Sequence, residues 1–293
     1  MTEAWYREHL DTAIRNIPEE PQKFLTADTA FLESHIAEKS LLKDPLAVFT
    51  RADADLKTVR ACLRLYIIRT HQALPSKEDA RLELSQKQVG ILVLHWLLSA
   101  KGKAGAEFAH DVEFAQSLCH CMVAAAQSSL LWRWILVPKL TDDDSSRSPL
   151  RRRRWKGNIL RDMNRAQAYW SQDPRKLDQA LNSYLWNHHH SHYWAPADRL
   201  SSVSASKWIV RNLPRASKSS YSLHLYDRCL GAFEDLWNSD PIDKELVLGR
   251  MELMHPTQPI SGRLLRYYRM SESDPNVAQQ VDLFRNPSRD PWP

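Results

Sequence analysis

The chain has 293 residues, of which 43% are hydrophobic and 26% charged, and its formal net charge at pH 7 is +5. This composition is ordinary for a folded protein, and the length suffices for a full core in one domain or two. Only 7 residues are glycine, whereas average usage near 7% gives about 20. Because hairpin turns and phosphate-cradling loops both need glycine, this scarcity argues against β-rich folds and against nucleotide-binding α/β folds.

The charge is unevenly distributed along the chain. Residues 1–150 contain 18 Lys and Arg against 20 Asp and Glu, a net of −2, whereas residues 151–293 contain 22 against 15, a net of +7. A basic half attracts polyanions, of which nucleic acid is the usual one, and a basic solvated surface is the alternative. The four cysteines form no disulfide framework, and residues 1–20 match neither a secretory signal nor a mitochondrial transit peptide. We therefore expect an intracellular protein.

Apolar residues recur at helical spacing along nearly the whole chain, and no segment alternates as a strand does. In the first half we predict helices near residues 5–17, 27–39 and 56–71, after Ser76, and over 91–98, 107–125 and 128–137. Ser76 and Asp79 have the spacing of a capping pair. Ile91–Leu98 is apolar on every side, so we expect its helix at the centre of the core. The apolar runs are too short or too polar to cross a bilayer, which predicts no membrane span.

The clearest break in the chain is the polar, acidic and serine-rich stretch Thr141–Pro149. It predicts a linker over 141–149 between an N-terminal helical region, 1–140, and a basic helical-repeat region, 150–285, which a frayed tail, 286–293, follows. The predicted helices beyond the linker lie near residues 152–170, 174–188, 202–212, 219–237, 241–254, 260–270 and 275–284. We therefore predict an all-α fold of antiparallel helix pairs, stacked as an α-solenoid-like array.

An Asp-Pro step recurs along the chain, at Asp44-Pro45, Asp173-Pro174, Asp240-Pro241, Asp274-Pro275 and Asp290-Pro291. Asp is a good helix N-cap, and proline suits the next position because the amide that it lacks has no partner there. From Asp240 to Asp274 is 34 residues, and from Asp173 to Asp240 is 67, close to twice that distance. A period near 34 is typical of an array of helix pairs.

Two segments, Arg165–Trp186 and Pro259–Arg285, resemble the helix pairs of pentatricopeptide and tetratricopeptide repeat proteins. In the later segment a helix over 262–270 precedes a second that opens at Asp274-Pro275. In the earlier one the inner stripe of the second helix consists of Leu177, Ala180, Leu181, Tyr184 and Leu185. The resemblance extends over about residues 150–284. It implies either of two functions, since pentatricopeptide arrays typically bind single-stranded RNA, often in mitochondria, and tetratricopeptide arrays bind peptides or partner proteins.

Two groups of basic residues are candidate nucleic-acid contacts. The first is the run Arg151, Arg152, Arg153, Arg154, Trp155 and Lys156, in which guanidinium groups suit phosphate and Trp155 suits stacking on a base. Because consecutive residues spread around a helix, the alternatives are a solvated helix start, a nuclear-import signal and a partner for Asp142–Asp144. The second group is Arg263, Arg266 and Arg269, three apart on one helix, for which a solvated face is the alternative.

Two histidine and cysteine patterns invite a metal interpretation. His188 and His192 are four residues apart and share a helical face, but no cysteine or carboxylate lies close by to complete a site. Cys119-His120-Cys121 lacks a second pair, so we expect buried structural cysteines.

No catalytic motif is found, and the sequence therefore predicts no catalytic residue, no metal site and no small-molecule cofactor. The leading hypothesis is a helical-repeat protein that binds single-stranded RNA in organellar or other intracellular RNA metabolism; only the resemblance suggests the mitochondrion. The alternative is a scaffold that binds partner proteins, and a third reading is a helical enzyme with a buried pocket.

Overall fold

A computed structural model describes residues 25, 29–51, 53–99, 108, 111–136, 149–191, 202–213, 216, 218–236 and 241–273. Within these residues every regular element is a helix and no strand occurs, so the all-α prediction is confirmed. The helices predicted near residues 5–17 and 275–284 lie outside the described residues.

We number the α-helices in chain order. The first seven are α1 (Thr29–Ser34), α2 (Lys39–Lys43), α3 (Leu56–Ala73), α4 (Lys77–Gln86), α5 (Val89–Ser99), α6 (Val112–Ala124) and α7 (Ser128–Leu136). The next six are α8 (Pro149–Trp170), α9 (Asp178–Ser191), α10 (Val203–Asn212), α11 (Leu223–Leu236), α12 (Pro241–Leu253) and α13 (Gly262–Ser273). Short 3₁₀ helices occupy Pro45–Thr50 and Lys218–Ser220. The helix predicted over 27–39 is instead two short helices, separated by a break after Ser34.

Side-chain caps explain where several helices begin. Asp55 and Asp111 accept hydrogen bonds from the amides of Thr58 (2.9 Å) and Phe114 (3.0 Å), at the starts of α3 and α6. Ser76 accepts from the amide of Asp79 at 3.1 Å. These bonds satisfy amides that the first helical turn leaves without a partner. The capping residue predicted at Ser76 is therefore confirmed.

The three Asp-Pro steps whose prolines are described precede different local structures. A 3₁₀ helix starts at Pro45, with Asp44 accepting from the amide of Leu46 at 3.2 Å. Helix α12 starts at Pro241, as predicted. At Asp173-Pro174 the prediction of a helix start is wrong, because the Asp173 carboxylate accepts from the amide of Arg175 at 2.7 Å and holds a turn. Helix α9 begins only at residue 178.

The described residues belong to two compact units, which divide between Ala205 and Ser206. The predicted linker over 141–149 is not this division. Helices α6 and α8, which lie on either side of that stretch, make the most extensive helix pair of the N-terminal unit. A boundary at 141–149 would cut through this packing, because contacts, and not local composition, define a compact unit.

Helix α6 is the central helix of the N-terminal unit. From Phe114 to Ala124 all but one of its side chains are buried, and it packs against α3, α4, α5, α7 and α8. The helix expected at the centre, α5, buries Val93 and Trp96 but leaves Leu98 76% exposed. Its apolar pattern therefore did not identify the central helix, since burial on all sides requires partners on all sides.

The C-terminal unit contains the described residues from Ser206 onward. Its helices α12 and α13 cross so closely that Gly249 has no room for a side chain: a β-carbon there would lie 2.7 Å from the backbone nitrogen of Leu264. Helix α11 is joined to α12 by the buried Tyr226 hydroxyl, which donates to the carbonyl oxygen of Met251 at 2.5 Å. Consecutive helices thus pack as neighbours, as a helical-repeat arrangement requires.

The described residues contain no helix whose length and hydropathy would allow it to cross a bilayer.

Candidate nucleic-acid interface

The polybasic run falls in the first two turns of α8. Arg151, Arg152, Arg153 and Arg154 are helical, and their side chains lie outside the described part of the chain. Trp155 and Lys156 are both only 4% exposed, and the Lys156 ammonium lies 5.8 Å from the centre of the Trp155 ring.

The burial of Trp155 follows from helical geometry. At 100° per residue, positions 155, 159, 163, 166 and 170 share the face of α8 that carries its buried apolar residues. A buried side chain cannot stack on a base without rearrangement of the helix. Trp155 and Lys156 are therefore not candidates for surface contacts in this structure.

Two of the three arginines of α13, Arg263 and Arg266, form ion pairs with carboxylates. The Arg263 guanidinium bonds Glu252 at 2.7 Å, Glu234 at 2.9 Å and Glu245 at 3.4 Å. Arg266 donates to Glu245 at 3.0 Å. Since Arg263 joins helices α11, α12 and α13, its contacts are those of a structural ion-pair network.

Arg269 is exposed on the same helix. All three arginines belong to the C-terminal unit, whereas the run at 151–154 belongs to the N-terminal one. The two predicted groups therefore belong to different compact units.

An aromatic cluster that was not predicted from the sequence lies on α7 and α9 of the N-terminal unit, with Trp186 exposed and Trp132 and His190 partly buried. The rings of Trp132 and Trp186 meet edge to face, with centroids 4.5 Å apart, and His190 stacks on Trp186 at 3.8 Å and 25°. Trp186 is 39% exposed, and Arg133 beside Trp132 is exposed as well. We call Trp132, Trp186 and His190 the tryptophan patch.

Amphipathic helices place the tryptophan patch at the surface. The stripe predicted to face inward on α9 is buried throughout, from Leu177 to Leu185. This leaves Trp186 and His190, four residues apart, on the other side of the helix. On α7, Leu131 and Ile135 are buried and leave Trp132 at the edge. The signal in the sequence was the i, i+4 spacing of Trp186 and His190, but only the ring contact between α7 and α9 adds the second tryptophan.

Helix α9 runs back along α8. A connection of seven residues, Ser171–Leu177, joins the two helices, and they pack against each other. At 1.5 Å per residue, the level of His190 on α9 corresponds to about residue 158 on α8. The backbone of the four arginines therefore lies about one to two helical turns beyond the level of His190.

The histidine and cysteine patterns have other environments. Among the described residues no group of three metal-ligating side chains occurs, and His192 lies outside them. Cys119 and Cys121 are fully buried, as predicted, and burial raises the pKa of both thiols. These thiols stay protonated at neutral pH and have little nucleophilic character.

Comparison of the chain with protein-family models, with curated proteins and with solved structures finds no match. The resemblance to pentatricopeptide and tetratricopeptide repeats therefore remains a prediction from the sequence pattern. The function has to be argued from the chemistry of the surface.

Proposed function

We propose that this protein binds single-stranded RNA through the tryptophan patch and the arginine run of α8. The observation that carries the proposal is the exposed Trp186 ring, which stacks on His190 and meets Trp132 edge to face. Proteins that bind single strands combine aromatic side chains, on which bases stack, with a cationic surface that follows the backbone.

The patch suits an unpaired strand better than a duplex. Stacking requires the face of a base, which a duplex hides inside its own stack. Trp186 is held on one side by His190, so a base that stacks on it extends an ordered pair of rings. The ordering of these rings is already accomplished by folding, which reduces the loss of side-chain entropy on binding.

The arginine run supplies the charge that the patch lacks. Arg151, Arg152, Arg153 and Arg154 on the first turns of α8 carry a total charge of +4, and their backbone lies about one to two helical turns from the level of His190. Since consecutive helical positions point in different directions, a strand that crosses the helix end meets only some of them. Arg133 adds one more exposed cation beside Trp132.

The test is a titration of a labelled single-stranded RNA pool, followed by fluorescence anisotropy at several salt concentrations. Trp186→Ala should weaken binding by about 5- to 150-fold, because base stacking on an aromatic residue contributes about 1–3 kcal/mol. Neutralising Arg151, Arg152, Arg153 and Arg154 to Gln should reduce the slope of log K against log salt by up to about 2.8, at roughly 0.7 per phosphate contact.

The chain offers a matched control for the tryptophan change. Phe31 on α1 is 63% exposed and packs on His35 four residues later, with ring centroids 4.5 Å apart. Phe31→Ala removes an exposed aromatic ring with the same kind of histidine partner and should leave RNA affinity unchanged.

If the folded protein binds no RNA at low salt, or if both aromatic changes weaken binding equally, the proposal is wrong. A partner protein would then become the better hypothesis for the tryptophan patch, since Trp and Arg are also the residues that dominate protein interfaces.

A further inference from the structure

A pair of histidines meets inside the N-terminal unit. His71 of α3 and His120 of α6 face each other, with their Nε2 atoms 3.1 Å apart. The Tyr169 hydroxyl of α8 lies 3.4 Å from the Nδ1 atom of His71. Three helices that are distant in sequence thus contribute to one short line of polar groups.

Trp170 of α8 packs against both histidine rings. Its ring stacks on His71, with centroids 5.4 Å apart at 23°, and lies 4.5 Å from the ring of His120. The indole nitrogen of Trp170 donates to the carbonyl oxygen of His120 at 3.0 Å. His120 is 1% exposed, whereas His71 is only partly buried. The last turn of α8 therefore contacts α3 and α6 through these two histidines.

The hydrogen bonds fit neutral rings. A contact between two Nε2 atoms requires a proton on one nitrogen and a lone pair on the other. The Tyr169 hydroxyl can donate to the Nδ1 atom of His71, and His71 then donates from Nε2 to His120. A further proton on the Nε2 atom of His120 would set two N–H groups against each other. A positive charge on either histidine ring would also lie in an aromatic environment with little water, which disfavours the charged form.

The charged groups around the pair do not favour a histidinium. Lys77 of α4 donates to the carbonyl oxygens of Tyr169 (2.5 Å) and Ser171 (3.2 Å), and it lies 5.1 Å from the centre of the Tyr169 ring. Other titratable groups on these helices include Tyr66 and Arg69 on α3, Glu78, Asp79, Arg81 and Glu83 on α4, Cys119 and Cys121 on α6, and Arg161, Asp162 and Arg165 on α8. Among these, Glu83 accepts a hydrogen bond from Tyr66 at 3.1 Å, and Glu78 pairs with Arg81 at 3.7 Å.

We propose that His71, His120 and Tyr169 form a latch that is closed at neutral pH and opens on mild acidification, releasing the last turn of α8 from α3 and α6. The contacts of Lys77 with Tyr169 and Ser171 would be lost in the same movement. The latch is independent of RNA binding, since it lies at the opposite end of α8 from the arginine run.

The direction of the pH effect follows from burial. Burial lowers the pKa of both His71 and His120, and the proximity of His71 lowers the pKa of His120 further. An opened state, with exposed histidines, titrates near the ordinary value of about 6.5. The closed state is thus fully favoured above pH 6.5 and loses stability as the pH falls from there toward the lowered values.

Hydrogen exchange measured by mass spectrometry, corrected for the intrinsic rate at each pH, tests the latch. Between pH 7.5 and 5.5, protection of the amides at 167–171 should fall about tenfold if one histidine takes up a proton, and up to about 100-fold if both do. The amides at 62–68, in the middle of α3, should keep their protection. An equal loss in both segments would overturn a local latch, as would no loss in either.

Two substitutions distinguish an effect of histidine protonation from an effect of lost ring packing. His71→Phe keeps a ring against Trp170 and removes the titrating group, so the pH dependence at 167–171 should shrink. Tyr169→Phe removes only the hydroxyl that favours neutral His71, so opening should move to higher pH. His35→Gln, which changes a partly buried histidine directly after α1, is the control and should alter nothing. An unchanged pH dependence in both His71→Phe and Tyr169→Phe would overturn the proposal.

Discussion

Three glycines within helices provide a sharp test of the packing. A β-carbon at Gly249 would lie 2.7 Å from the backbone nitrogen and 3.0 Å from the α-carbon of Leu264. At Gly231, on α11 of the same unit, a β-carbon would meet nothing within 4 Å. At Gly90 it would lie 2.5 Å from the sulfur of Met122, at the far part of a flexible side chain. Replacement by alanine should therefore have three different outcomes.

The magnitudes follow from two opposing effects. Alanine in place of glycine stabilises a helix interior by about 1 kcal/mol. Overpacking costs about 1–3 kcal/mol, and the upper part of this range applies at Gly249 because the obstacle is backbone. We expect Gly249→Ala to lower the free energy of unfolding by about 2 kcal/mol and Gly231→Ala to raise it by about 1 kcal/mol. Gly90→Ala should fall between the two, since the Met122 side chain can move.

Urea unfolding followed by far-UV circular dichroism measures these free energies in the intact chain. Gly231→Ala is the matched control, because it makes the same chemical change in the same unit. If Gly249→Ala is as stable as Gly231→Ala, the close crossing of α12 and α13 is refuted. If Gly231→Ala is itself clearly destabilising, the open environment assigned to that position is refuted instead.

Two further predictions concern residues that the sequence offered as functional. Arg263→Gln should lower the free energy of unfolding by about 2 kcal/mol, because Glu252 loses its charged partner in a half-buried network and Glu245 keeps only Arg266, and it should leave RNA affinity unchanged. If the variant has normal stability in urea but binds RNA more weakly, Arg263 is a nucleic-acid contact and the structural assignment is wrong. The four buried cysteines should react with a thiol reagent at pH 8 only as fast as the protein opens, because burial raises the pKa of each thiol, that of Cys62 to about 11. Rapid reaction of one thiol in the folded protein would contradict this burial.

Local signals in the sequence identified the helices well. The cap at Ser76, the inner stripe of α9 and the start of α12 at Pro241 all depend on neighbours within one or two helical turns. The scarcity of glycine correctly favoured helices over strands. Such features can be predicted because the interacting groups are close in the chain, and the period of a helix fixes their directions.

The candidate surface could be predicted only in part. Arg151, Arg152, Arg153 and Arg154 were recognisable as a basic run, and helical periodicity places Trp155 on the apolar face of α8 and Trp186 opposite the apolar stripe of α9. What could not be predicted is that Trp132 of α7 meets Trp186 of α9. That contact joins segments that are distant in the chain.

The sequence by itself determined that this protein is helical, where most of its helices begin and which faces of them are apolar, because short-range hydrogen bonds and helical periodicity suffice for these features. The tertiary structure alone decided that α6 is central, that Arg263 is held by three glutamates, and that His71, His120 and Tyr169 meet. Each of these depends on pairing between helices far apart in the chain, which burial and the shapes of the facing side chains select together.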